Sequence, residues 1–333
     1  MSKKGFAFLD ILGFSDSILS KNYEHTYNML NQVYVVLDMK DMNGKMRINR
    51  KSLQNNIIEK LNSRIEITSF SYIQCISDSI LIASDQPDLM VQQIANLVKM
   101  CFTLNWGNKR DSLPLVLLRC GISYGEVSIT MAKSSLGNKS NETPNIFGEA
   151  VVNAVNIEKS FGLKGPRIIL DEPIYKELNE ETKRNYISLL KIDESITSGR
   201  KYYEVLWPAF EFVEDNIKDD IKYNNLNGEI NKLGHLLSKA YVFFEEYQNS
   251  PAKEHYNSLV SLIFRSTRQI FHNLGGIQIF EEYVKKITDR KSMNYVSKYF
   301  DNPFLDLICP NDWNNEFRNY LNEIYNQRIK NAE

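Results

Sequence analysis

Residues 5–12, "GFAFLDIL", are apolar on both faces of an extended chain, the pattern of a strand at the centre of a covered sheet. Asp10 interrupts the run, with Gly13 and Asp16 close behind. From Ser15 to about Lys40, the positions Ile18, Leu19, Tyr27, Leu30, Val33 and Val36 recur at helical spacing. They predict one helix, with Ser15 or Asp16 placed to cap its start. Residues 41–62, centred on "NGKMRINRK", are polar and basic and read as a loop or insertion. The runs "IEITSFSYIQCI" and "SILIAS" follow, separated only by Ser77-Asp78, which predicts a hairpin with Asp78 at its turn.

"DQPDLMVQQIANLVKMCFTLNW" reads as a helix with Asp85 near its start, and "LPLVLLRCGISYGEVSITMA" as a long β-rich segment. Within the latter, Gly121 and Gly125 mark a bulge or a close backbone approach. "SSLGNKSNETPN" is polar and reads as a loop, and "IFGEAVVNAVNIEKSF" as a helix. "PRIILD" then predicts a strand, "EPIYKELNEETKRNY" one helix, and "KYYEVLWP" a last strand. The alternation stops near Pro208, and "EDNIKDDIKYNNLNG" marks a polar boundary at about 208–225. Beyond it the pattern is helical, its apolar stripes those of ordinary helix packing. We therefore expect domains at 1–210 and 211–333.

Composition narrows the classes. Of 333 residues, 43% are hydrophobic and 24% charged, as in a globular protein. The formal net charge of −1 supplies no basic field for nucleic acid. No apolar run is long enough for a membrane span. The basic start "MSKK" lacks the apolar core of a signal peptide, so a cytoplasmic location is expected. Cys75, Cys101, Cys120 and Cys309 form no CxxC pair, and His25, His235, His255 and His272 are scattered. Reduced structural thiols, not zinc or disulfides, are expected.

Asp10 at a strand end and Asp78 at a hairpin tip are the chemical candidates. One such aspartate is ordinarily a turn or cap residue. Two at the edge of an apolar sheet are more informative. Mg²⁺ and Mn²⁺ take hard oxygen ligands, often one or two carboxylates plus substrate phosphates. Two such ions can activate an attacking oxygen and stabilise a leaving one. The segment "LGFSDS" after Asp10 offers backbone N–H groups at a helix start to a polyphosphate.

With these residues in view, the chain resembles a class III nucleotidyl cyclase homology domain. "FLDILGFSD" is similar to that family's first metal motif and "CISDSILIAS" to the hairpin carrying its second metal aspartate. "LRCGISYGEV" resembles its Arg-x-Gly-Ile strand, and "NIFGEAVVNAVNIEKS" its helix after a Gly, where an Ala and a later acid recur. The four matches lie in family order over about residues 5–207. The resemblance implies an α+β fold, a ferredoxin-like palm followed by a helical C-terminal region. It implies two Mn²⁺ or Mg²⁺ ions per site on Asp10 and Asp78, joined by the Ile11 carbonyl. Leu12, Gly13 and Phe14 would line the triphosphate. The implied reaction is attack of the ribose 3′-OH on the α-phosphate, pyrophosphate leaving. The implied assembly is a homodimer in which each subunit contributes to both sites.

The purine-reading positions depart from the family. Its base-reading Lys falls on Gln74 and its second base-reading acid on Asn145. Its transition-state Asn and Arg fall on Val152 and Asn156; Asn153 fills the Asn position only after a register shift. Either the site is silent or its base specificity differs. The retained aspartate pair favours the second, and "GISYGE" and "FGEAVVNAVNIEKS" resemble the pyrimidine cyclases of bacterial Pycsar anti-phage systems. That resemblance implies cyclic UMP or cyclic CMP as product, uridine slightly favoured, and a separate effector protein. Arg119 is the main candidate cation, able to fork onto a pyrimidine carbonyl or a phosphate, or else a structural arginine. Arg50 is a second candidate from the basic loop. Tyr72 and Tyr124 are stacking candidates, and Lys133 and Lys139 weaker phosphate candidates. The competing functions are a catalytically silent nucleotide sensor, an adenylate cyclase, and a dinucleotide synthase, whose Gly-Gly-Asp hairpin "CISDS" lacks.

Overall fold

The run "SKKGFAFLDI" forms β1 (Ser2–Ile11) in a computed structural model that describes residues 2–20, 22–41, 69–103, 116–136, 139–159, 162–190, 192, 197–209, 236, 239–240, 243, 247 and 249–273. The chain divides into two compact units, Met1–Trp207 and Pro208–Glu333.

In the first unit β1 is followed by α1 (Phe14–Leu19) and α2 (Tyr23–Asp41), then by the hairpin β2 (Phe70–Ile76) and β3 (Ser79–Ser84). Next come α3 (Pro87–Thr103) and β4 (Leu118–Leu136). β1 lies between β3 and β4, antiparallel to both, and β2 pairs outside β3. The order β2-β3-β1-β4 with a helical connection in each half is the βαββαβ ferredoxin-like arrangement, so the fold is α+β. β5 (Lys139–Phe147) pairs β4, and α4 (Glu149–Lys159) leads to β6 (Ile168–Asp171), parallel to β4. α5 (Glu172–Glu177), α6 (Glu180–Tyr186), β7 (Ile187–Leu190) and β8 (Tyr202–Val205) complete the sheet in the order β6-β8-β7.

The two faces of β1 read directly from its alternation. Phe6 joins Ala150 and Ala154 of α4 in one buried cluster. On the other face a Cβ at Gly5 would meet Met90 of α3. The α2–α3 layer is locked by Gln32, whose amide donates to the Cys101 carbonyl at 2.8 Å.

Four expectations are corrected. The helix from Ser15 to Lys40 is two helices, and α1 is capped by Gly13 with no side-chain hydrogen bond, not by Ser15 or Asp16. "SSLGNKSNETPN" is no loop: β4 runs on to Leu136 and pairs back through β5. Cross-strand pairing, Leu136 with Lys139 through Thr130 with Asn145, holds these mostly polar residues in strands. "EPIYKELNEETKRNY" breaks into α5 and α6, because Leu178 is extended and the Asn179 side chain caps Thr182 N–H. β7, at "ISLL", carries too short a pattern to announce itself.

In the second unit α7 (Lys253–Asn273) buries Tyr256, Leu259, Val260 and Ile263, an i, i+3, i+4, i+7 stripe. The rings of Phe243 and Tyr247 stack on Tyr256 at 5.7 and 5.2 Å.

Candidate active site

The site begins where β1 ends. Asp10 sits opposite Ser79 of β3 on one side and Arg119 of β4 on the other. The β2–β3 turn is Ser77-Asp78, and Ser77 takes a left-handed backbone (φ 55°), as a tight primed hairpin turn requires. The Ile11 N–H donates to the Asp78 carbonyl at 3.0 Å, and the Leu12 N–H to the Leu117 carbonyl at 2.9 Å. Both edges of β1 are thereby tied down, and the two aspartates share one end of the sheet. Immediately after, Gly13 turns the chain into α1 with φ 78°.

Asp10 lies on the α4 face with Phe6 and Phe8, and there it meets more negative charge. Burial first, then the charges of Glu158 and Asp78, push its pKa up to about 6; Arg119 and Lys159 pull the other way without cancelling them. The Arg119 Nη2 lies 3.8 Å from Asp10 Oδ2. Its firm contact is Glu158, which accepts from both Nε and Nη2 on one oxygen. Glu158 is almost wholly buried, its side chain 1% exposed. Sequence reasoning gave Glu158 no role. Its signal was spacing: Ala150, Ala154 and Glu158 fall four apart on the buried stripe of α4, where a carboxylate needs a partner.

Gly121, on β4 two residues from Arg119, sets how closely α4 approaches. A Cβ there would lie 2.2 Å from the Ala154 carbonyl oxygen and 2.7 Å from the Glu158 nitrogen. The close approach expected at Gly121 or Gly125 is thus at Gly121; at Gly125 a Cβ would make only ordinary contacts.

Gln74 and Tyr72 share one face of β2, and the Tyr72 hydroxyl donates to Gln74 Oε1 at 2.6 Å. Tyr72 also packs against the α4-facing cluster of Phe6, Ala83, Val127, Ala150 and Ala154. Burial pushes its phenol pKa up, so it keeps the proton it donates.

The other candidates separate. Leu12 is half-buried, and the Phe14 side chain enters the core. Tyr124 pairs with Gly5 on the face opposite Asp10, and so does not join the aspartates. Asn145 pairs with Thr130, about 36 Å along β4 from Arg119, so one chain does not bring it to Asp10. Val152 and Asn156 are exposed on α4, on a different side from Ala154 and Glu158. Lys133 and Lys139 lie on β4 and β5. Arg50 and Cys309 lie outside the described residues. Among the described residues Cys75, Cys101 and Cys120 form no disulfide, and no three His, Cys, Asp or Glu side chains group to hold a metal. Among them, too, no helix is long and apolar enough to cross a membrane.

Two carboxylates at one end of the sheet, with Arg119 and Lys159 offsetting their charge only in part, fit a hard divalent cation that completes its shell with water and substrate phosphates.

No family model and no curated protein matches the chain. Among solved structures it is similar to the guanylate cyclase domain of RhGC from Catenaria anguillulae in complex with GTP, at 16% identity and TM-score 0.42, covering 61% of this chain and 95% of that one. It is also similar to the adenylyl cyclase CyaB from P. aeruginosa, at 15% identity and TM-score 0.39, over 61% and 94%. A third is the adenylate cyclases from Trypanosoma brucei in their monomeric state, at 14% identity and TM-score 0.40, over 62% and 90%.

Proposed function

We propose that the chain is a metal-dependent nucleotidyl cyclase that converts UTP, or secondarily CTP, to the 3′,5′-cyclic nucleotide and pyrophosphate. The observation that carries this is the Asp10–Asp78 pair at one sheet end, where burial first, and then the charges of Glu158 and Asp78, raise the Asp10 pKa to about 6. Asp10 and Asp78 would hold Mg²⁺ or Mn²⁺, with the Ile11 carbonyl as a further ligand. Such ions, when bound, neutralise phosphate charge and favour ionisation of the attacking hydroxyl. The Leu12–Phe14 backbone lines the triphosphate, and Arg119 adds positive charge at its edge. The ribose 3′ hydroxyl gives its proton to solvent, its oxygen bonds to the α-phosphorus, and the bond to pyrophosphate breaks.

The pyrimidine preference rests on the base-reading positions. Gln74 is neutral, and the Tyr72 hydroxyl occupies its carbonyl oxygen, which leaves its amide N–H groups as donors. Donors select a base carbonyl, which uracil offers where cytosine carries an amino group. The protein would work as a homodimer, its second messenger acting on a separate effector in anti-phage defence, as the sequence resemblance implies.

The test is incubation of purified protein with each of the four nucleoside triphosphates and Mn²⁺. Cyclic UMP or cyclic CMP as main product is expected; cyclic AMP alone would overturn the pyrimidine assignment. The exposed Val152 and Asn156, which stand where the family has a transition-state Asn and Arg, favour one second reading, a silent nucleotide sensor. Nucleotide binding with no product from any triphosphate would select it.

A further inference from the structure

We propose that Glu158 is a positioning residue: it holds Arg119 off Asp10 and so keeps the aspartate pair open to a divalent cation. This rests on the assignment of Asp10 and Asp78 as the metal pair.

One guanidinium stands between two carboxylates. The contact to Glu158 uses two nitrogens, whereas Nη2 is 3.8 Å from Asp10, within ion-pair range and beyond a hydrogen bond. The asymmetry has a structural cause. The Glu158 backbone is pressed onto β4 where Gly121 leaves room, so its carboxylate is delivered at a fixed height above Arg119. Being almost fully buried, that carboxylate cannot exchange its counter-ion for water. Asp10, with its side chain 25% exposed, can.

The charged groups around Asp10 are Glu158, Asp78, Arg119 and Lys159. With Glu158 neutralised, the carboxylate beside Arg119 is Asp10. The guanidinium then closes onto it, and a forked arginine–carboxylate pair covers the oxygens that a hard cation needs. Glu158 therefore acts on the metal pair through Arg119, and touches neither metal nor substrate itself.

The experiment measures Mn²⁺ binding to the full, nucleotide-free chain by the electron paramagnetic resonance signal of free Mn²⁺. Four proteins are compared: wild type, Glu158→Gln, Arg119→Met and the double variant. Glu158→Gln should bind Mn²⁺ about tenfold more weakly, the usual scale for a group that orients a ligand. Arg119→Met should bind at least as tightly as wild type, and the double variant should match it. An equal loss from Glu158→Gln in both backgrounds would mean that Glu158 acts by its own charge, which overturns the proposal. Circular dichroism and melting temperature check folding. If Glu158→Gln does not fold, Glu158→Asp, which draws the carboxylate back by one methylene, should give an intermediate loss; unchanged affinity there also overturns it. Wild type that binds no Mn²⁺ would remove the metal assignment itself. Mn²⁺ binding that Asp10→Asn abolishes and Glu158→Gln leaves intact would remove this inference alone.

Discussion

The Ile11 amide donates to the Asp78 carbonyl at 3.0 Å. That bond joins the end of the central strand to the tip of a hairpin almost seventy residues away in the chain. It makes the neighbouring carboxylates of Asp10 and Asp78 one unit, and each prediction below concerns that unit or the elements that hold it.

Asp10→Asn or Asp78→Asn should lower turnover at least about a hundredfold, since ions held there supply several kcal/mol of transition-state stabilisation. Neither change should unfold the protein, because each removes a like charge from a crowded end of the sheet. Rates of cyclic product formation with Mn²⁺, beside melting temperatures, check both statements. A fully active variant would exclude the carboxylate pair from the chemistry.

The metal-free protein should lose stability as pH rises from about 4 to about 6. Asp10 has a pKa of about 6 folded against 3.8 for the ordinary group, so between those values the folded state holds the extra proton. Stability is favoured below this window, falls through it and levels off above. Thermal melting from pH 4 to 8 should show the slope in wild type and its reduction in Asp10→Asn. Saturating Mn²⁺ at pH 7 should raise the wild-type midpoint and leave that of Asp10→Asn nearly unmoved.

Gly121→Ala should cost about 1–3 kcal/mol, because the new methyl meets backbone atoms of α4 at 2.2 and 2.7 Å and the helix must lift. Urea denaturation measures this. The matching Gly125→Ala, whose methyl would make only contacts near 3.6 Å, should cost clearly less.

Tyr72→Phe keeps the ring against the α4-facing cluster but frees Gln74 to turn its amide. The UTP-to-CTP ratio of kcat/KM should fall about tenfold, the loss of one well-formed discriminating hydrogen bond. An unchanged ratio with unchanged turnover would show that the Gln74 amide does not read the base.

Much of this protein was legible locally. The apolar run of β1 up to Asp10, the two-residue gap at Ser77-Asp78 and the helical period of α3 and α4 each follow from a short-range pattern, because strand alternation, turn chemistry and helical periodicity are written in neighbouring residues. So were Asp10 and Asp78, each marked by its place at the end of an apolar strand. The sequence pattern failed where hydrogen bonding rather than burial shapes the chain. Beyond the Ile129–Ile146 pair that packs on the core, the sequence of the β4–β5 hairpin is mostly polar, and the break at Asn179 depends on one side chain capping one amide.

What only the tertiary structure decided is the company that these residues keep. Nothing local says that Glu158 lies over Arg119: that pairing requires α4 to descend onto β4, and it does so only because Gly121 has no side chain. Nor does spacing along the chain show that Tyr124 faces away from the aspartates or that Asn145 is carried far along β4; register and the two-residue pleat settle both. By itself the sequence determined which groups are available, two carboxylates, an arginine and a neutral amide. Their charges interact through space over a few ångströms, so which of them compensate each other was settled by the packing of helix on sheet.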